Sequence, residues 1–148
     1  FVDLKDAGDP VEIGRAYVLR EGTDVTLIAC GVEIEEALKA AEALAAEGVS
    51  AEVVDAFSVK PLDADTILAS VRKTGCTVVA EEHSVIGGLG DAVAHLLATE
   101  HPVPCECIGV QDRFGKSGEF EELMAAFGLD AQALAAAAQR VQERKLSS

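Results

Sequence analysis

Apolar positions along the chain fall into two kinds of segment that take turns. Short apolar runs occur at Ala16–Leu19, Val25–Cys30, Ala51–Asp55, Cys76–Ala80 and Cys105–Val110. Each reads as a strand, and the run from Cys76 is unbroken, the mark of a strand buried on both faces of a parallel sheet. Between the runs the apolar residues recur at helical spacing. Over Glu33–Glu47 they are Ile34, Ala37, Leu38, Ala41, Leu44 and Ala45, with Glu33, Glu36, Lys39 and Glu42 on the opposite side and Gly48 as a stop. Asp63 caps a helix through Val71 that Gly75 terminates, and another runs from about Leu89 to Thr99. A short helix follows at Glu119–Phe127, closed by Gly128, and Asp130 caps a long Ala-rich helix to about Lys145. Strands alternating with helices at this spacing make βαβ units. The pattern therefore predicts an α/β domain, a three-layer sandwich with a mostly parallel sheet of about five strands.

The stretch from Cys76 to Gly90 stands out. A buried strand runs into Glu81, Glu82 and His83, then Gly87, Gly88 and Gly90, and a helical pattern follows at once. This puts a polar, glycine-rich turn at the carboxyl end of the sheet, where open α/β folds meet ligands and partners. A second such turn is Asp112-Arg-Phe-Gly-Lys-Ser-Gly118. The glycines could bind phosphate through backbone N–H groups at a helix head. They lack the Gly-x-Gly-x-x-Gly spacing of a dinucleotide site, no Gly-Lys-Ser/Thr follows them, and Gly115-Lys-Ser has no glycine at P-loop distance upstream. Close helix–sheet packing with φ > 0 turns is the competing reading. Glu81, Glu82 and His83 offer acid–base groups, but neighbouring strand residues point to opposite sides and no nucleophile–base pair accompanies them. Hydrogen-bonding the loop or meeting a neighbouring domain suits them better. For Asp112 and Arg113 the alternatives are a local ion pair and an inter-domain anchor. Phe114, apolar in a polar turn, favours the anchor.

Charge narrows the partners. A net charge of -14 and a pI near 4.4 oppose binding to nucleic acid or an anionic membrane. The chain of 148 residues, 49% hydrophobic, suffices for one domain with a core. Residues 1–12, polar and turn-rich, are expected to be a linker or disordered leader, with the domain spanning 13–148. No signal peptide or long apolar span appears, which points to the cytoplasm. Cys30, Cys76, Cys105 and Cys107 form no Cys-x-x-Cys pair, and His83, His95 and His101 lack metal-ligand spacing, so reduced, buried thiols are expected. The chain opens on Phe1 rather than Met, which suggests a fragment or a processed chain.

Four blocks in fixed order resemble the C-terminal domain of the transketolase family. They are Glu12–Ala29, Val53–Asp63, Val79–Gly90 and Ile108–Gly118, and the resemblance covers roughly Pro10 to Val141. The third and fourth blocks look most like split transketolases, whose halves are separate polypeptides. The family's enzymes transfer a two-carbon ketol unit between sugar phosphates, using thiamine diphosphate and Mg²⁺. The coenzyme lies between a diphosphate-binding and a pyrimidine-binding domain of two subunits. Its metal motif, Gly-Asp-Gly with a downstream Asn, is absent, and the chain contains no Asn. The glutamate that activates the thiazolium belongs to the pyrimidine domain.

The resemblance thus implies a domain with no cofactor, metal or catalytic residue of its own, inert alone. It would pack on the pyrimidine-binding and diphosphate-binding domains or subunits and help build a homodimer. Glu82, His83, Gly87, Gly88, Gly90, Asp112, Arg113 and Phe114 are the implied contacts. The alternatives are the matching domain of a 2-oxo-acid dehydrogenase β subunit or of deoxyxylulose-phosphate synthase, and a stand-alone phospholigand-binding module. An acidic surface docking a basic acyltransferase domain would mark the dehydrogenase case. The Asp-Arg-Phe-Gly-Lys-Ser-Gly turn argues for transketolase.

Overall fold

A computed structural model describes residues 14–56, 61–84, 88–110 and 130–146, apart from the side chains of 82–84 and 110. The strands are β1 (Tyr17–Arg20), β2 (Val25–Ala29), β3 (Ala51–Asp55), β4 (Thr77–Ser84) and β5 (Cys105–Val110). The helices are α1 (Glu33–Ala46), α2 (Ala64–Thr74), α3 (Leu89–Glu100) and α4 (Ala131–Leu146). They form one sheet in the order β1-β3-β2-β4-β5. β3, β2, β4 and β5 run parallel, and β1 pairs antiparallel with β3 at the edge.

The unbroken apolar runs have the expected cause. Every residue of β2 and of β3 is buried, because helices cover both faces. Leu27, Val53 and Val78 face α1 and α4, packing on Ala37, Leu44, Leu134 and Val141. Ile28, Val54 and Val79 face α2 and α3, packing on Ile67, Val71, Leu89 and Val93. These two apolar layers make the three-layer sandwich that the periodicity predicts. β3 lies on one side of β2 and β4 on the other, so the connections diverge between β2 and β4. The crevice at such a switch point is where this class of fold meets its ligands.

The helix ends follow the sequence signals. Asp63 Oδ1 accepts from Thr66 N at 3.2 Å and Gly75 closes α2 with φ 82°. Asp130 Oδ1 accepts from Ala133 N at 2.9 Å at the head of α4. The helix expected at Glu119–Phe127 lies outside the described residues, as do the leader at 1–12 and most of the Phe57–Pro61 loop. β4 differs from expectation. It continues through Glu81, Glu82 and His83 to Ser84, because Ser84 pairs with Val110 of β5 after a register shift beyond Ala80.

Candidate functional site

At the carboxyl end of β4 the chain leaves the sheet and returns at Gly88 to start α3. Glu81 is 2% exposed, and its carboxylate points at the head of that helix. Oε2 accepts from Leu89 N at 2.7 Å and Oε1 from Gly90 N at 3.0 Å. The first N–H groups of a helix have no partner within it, and the helix dipole favours negative charge there. The carboxylate therefore takes the place an external phosphate would occupy. Gly88 has an extended backbone, φ -101° and ψ -154°, so it is not the left-handed glycine that the glycine-rich turn suggested. What it supplies is room: a Cβ there would lie 2.5 Å from Glu81 Oε2 and 2.8 Å from Cδ. A Cβ on Gly90 would lie 3.0 Å from Cys107 Sγ, which is the close helix–sheet packing weighed from sequence.

Beneath α3, Cys105 and Cys107 share one face of β5, as their alternation with Glu106 predicts, and pack against the α2/α3 layer. The hydrogen bond with Cys107 and burial push the Cys105 thiol up, which keeps it protonated. All four cysteines are free thiols. On the opposite face Glu106 accepts from Arg140 Nε at 3.1 Å through each carboxylate oxygen, tying β5 to α4.

A second polar cluster lies near the amino end of β3. Glu52, 1% exposed, accepts from Gly22 N at 3.1 Å and pairs with Lys73, which also meets Glu21 at 2.9 Å. The open cleft beside it has a volume of about 380 Å³ and is lined by Val18, Asp65, Thr66 and Ser70 among others. Burial opposes ionisation of Glu52, but the bonds from Lys73, Ser70 and Gly22 outweigh it and hold its carboxyl below the ordinary value of 4.5. The unfolded carboxyl then takes up its proton near 4.5 and the folded one only at lower pH. The stabilisation is full above the unfolded value and drains away on acidification below it. Melting temperature followed from neutral to acid pH should fall through this window, and Glu52→Gln should flatten the fall. An unchanged slope would show that Glu52 is not one of the groups responsible.

Glu82 and His83 lie on β4 with only their backbone described, Gly88 and Gly90 head α3, and Gly87, Asp112, Arg113 and Phe114 lie outside the described residues. The structure thus brings Gly88 and Gly90 together around Glu81, which takes the loop-bonding alternative weighed for it from sequence. A signal existed: a carboxylate eight residues ahead of a helix head whose first N–H groups need acceptors.

Thiamine diphosphate does not fit the described residues. A diphosphate needs open N–H groups at a helix head, and those heads already face carboxylates. Asp63 at α2, Glu81 at α3, and Asp130 with Glu36 at α4 accept from these N–H groups, while at α1, which has no side-chain cap bond, Glu33, Glu35 and Glu36 put negative charge in the first turn. Among the described residues no three His, Cys, Asp or Glu side chains could hold a metal ion.

Comparison with known proteins agrees with this arrangement. The family model "Transketolase, C-terminal domain" matches residues 14–134. A 6-deoxy-6-sulfo-D-fructose transketolase subunit of Clostridium sp. (strain MSTE9) is 46% identical over 97% of this chain and 45% of its own length. A putative transketolase C-terminal section of Methanocaldococcus jannaschii is 42% identical over 84% of the chain and 39% of its own length. A 1-deoxy-D-xylulose-5-phosphate synthase of Geobacter sulfurreducens is 44% identical over 86% of the chain and 20% of its own length. A solved chain described as "Split gene transketolase, inactive beta4 tetramer" superposes with a TM-score of 0.93 at 45% identity, covering 97% of this chain and 47% of that one. The chain spans less than half the length of these relatives. With its sheet order, its two helical layers and the model match over 14–134, the chain belongs to the transketolase C-terminal domain family.

Proposed function

We propose that the chain is the third, C-terminal lobe of an enzyme that transfers a two-carbon ketol unit between sugar phosphates, and that it acts in assembly. On this reading the lobe packs against the pyrimidine-binding domain and helps build a homodimer. Thiamine diphosphate and Mg²⁺ are held by the other domains, so this part alone is inert. The observation that carries the reading is the close match, TM-score 0.93 at 45% identity, to a chain whose own description names an inactive tetramer. The carboxylates that accept from the heads of α2, α3 and α4, and the acidic first turn of α1, support it, since they disfavour a diphosphate there. The contacts with the other domains are Glu82, His83, Gly87, Gly88, Gly90, Asp112, Arg113 and Phe114 along the carboxyl edge. No described helix is long and apolar enough to cross a membrane. On the same reading, as a ketol transferase acting on sugar phosphates, the enzyme works in the cytoplasm and in pentose phosphate metabolism.

The purified chain, given thiamine diphosphate, Mg²⁺ and sugar phosphates, should form no product. Adding the parent enzyme's two coenzyme-binding domains should restore ketol transfer. Turnover by the chain alone would overturn the reading. The 44% identity to a deoxyxylulose-phosphate synthase favours a second one. The same reconstitution, given pyruvate together with a triose phosphate, separates them, because the second predicts 1-deoxy-D-xylulose 5-phosphate with release of carbon dioxide.

A further inference from the structure

We propose that Cys105 and Cys107 are a redox-active dithiol, which a small-molecule disulfide of the glutathione class oxidises to a bridge within β5. Residues two apart on a strand share one face with Cα atoms about 6.6 Å apart, inside the roughly 4.4–6.8 Å that a disulfide spans. The two thiols already hydrogen-bond to each other. β5 is the last strand in the sheet order, and Cys105 to Ile108 are each half-buried, whereas every residue of β2 and β3 is buried. Both cysteines thus keep part of their surface in solvent. The other two are placed differently. Cys76 is fully buried in the α1/α4 layer, across the sheet, and its thiol donates to Asp24 O at 3.4 Å. Cys30 follows β2, which β4 separates from β5, so about 10 Å of sheet lies between it and the pair.

The two thiols take different parts in the reaction. The hydrogen bond from Cys105 draws Cys107 below the ordinary thiol value of 9.0, against burial and the charges of Glu81 on β4, Asp91 on α3 and Glu106 on β5. Cys107 is therefore the attacking thiolate. It breaks the S–S bond of the small disulfide, forms a mixed disulfide and expels one thiolate. The Cys105 thiol is held up first by its hydrogen bond with Cys107 and then by burial, with Glu106 adding to this and Arg144 of α4 opposing it. Capping Cys107 removes the first cause. Cys105 then gives up its proton, attacks the Cys107 sulfur and expels the second thiolate. The dithiol loses two electrons and two protons, and the small disulfide becomes two thiols. With the Cα separation near its upper limit the bridge is strained, so excess reduced glutathione should reopen it.

The test treats the whole chain with oxidised glutathione. Four free thiols should fall to two, with a mass loss of two hydrogens and no retained glutathione. Glutamyl endopeptidase cuts after Glu106, between the pair, so the two resulting peptides should stay joined until reduced. Cys105→Ser should stop at a stable glutathione adduct on Cys107, and Cys107→Ser should react about tenfold more slowly. In wild type, alkylation of Cys107 should rise with pH at a midpoint below 9.0, and Cys105→Ser should move that midpoint up. A pair that merely fills space would leave the midpoint in place. Four thiols surviving a large excess of oxidised glutathione, a bridge that includes Cys30 or Cys76, or equal midpoints in wild type and Cys105→Ser would overturn the proposal. If either variant fails to fold, the wild-type thiol count and peptide map decide it. None of these readouts depends on ketol transfer, so the dithiol and the proposed activity can fail separately.

Discussion

Replacing Gly22 by alanine is expected to destabilise the domain by about 4 kcal/mol, among the larger effects a single substitution produces. A Cβ at this position would lie 2.2 Å from Ala51 C, 2.3 Å from Glu52 N and 2.5 Å from Ala51 O. These are main-chain atoms at the start of β3, so no side chain can swing aside. Nor can the strand retreat. Ala51 and Glu52 are in register with Val25 and Thr26 of β2, and Asp24 N donates to Ser50 O at 2.8 Å. The substitution would also pull Gly22 N from Glu52, leaving a buried carboxylate with one bond fewer. Urea denaturation of the variant should show the loss as a lower midpoint with a similar slope. A change under about 1 kcal/mol would mean that β1 and β2 can part at this turn without disturbing β3.

The second large effect is expected at the seat of α4. Leu134 is fully buried in the first two turns of that helix, against the layer formed by Ala37, Leu44 and Val53. Leu134→Ala should cost about 3 kcal/mol, the sum of lost transfer energy and the cavity left behind. Polar ties hold α4 at both ends and limit collapse into the gap. Glu36 accepts from Ala131 N at 2.8 Å, and Lys145 donates to the Asp24 and Thr74 carbonyls at 2.8 and 3.0 Å. With the helix pinned at each end, the cavity stays open and its full cost is felt. Leu146 offers the control: at 82% exposed, its replacement by alanine should leave the urea midpoint in place. Equal losses at both positions would show that α4 is not docked as described.

These predictions and the site have a common origin. At the Gly22 turn and at the head of α3, the backbone N–H of a glycine or its neighbours bonds a buried carboxylate. No side chain fits at the glycine, because of the β3 main chain at Gly22 and of the carboxylate itself at Gly88. Glu52 and Glu81 are both satisfied in this way by N–H groups of a turn or helix head. An acidic chain with net charge -14 thus uses part of its excess negative charge inside the fold, where it caps helices and fastens turns. The same use of charge leaves the described helix heads unsuited to a diphosphate. That fits the proposed reading, in which other domains hold the coenzyme.

The strands and most helix boundaries were legible in the residues because each depends on local pattern. Val25–Cys30 read as a central strand and Ala51–Asp55 as a strand, and the structure has strands at Val25–Ala29 and Ala51–Asp55. Asp63, Gly75 and Asp130 marked helix ends through caps that involve only neighbouring residues. The four blocks also made the family recognisable, because they preserve order and chemistry over most of the chain. The extension of β4 to Ser84 was not legible, since it depends on pairing with Val110, a residue distant in sequence.

Most of all, the sequence determined that Glu81, Glu82 and His83 would stand at the carboxyl end of a buried strand, followed by glycines and a helix. Only the tertiary structure decided that Glu81 turns back onto that helix and fills its head. The physical reason is that alternation along a strand sets which face a side chain takes, while its partner depends on where the chain returns. Here the helix head begins at Gly88, close enough for two backbone N–H groups to reach a carboxylate for which the pattern alone had left a loop bond and a domain contact open.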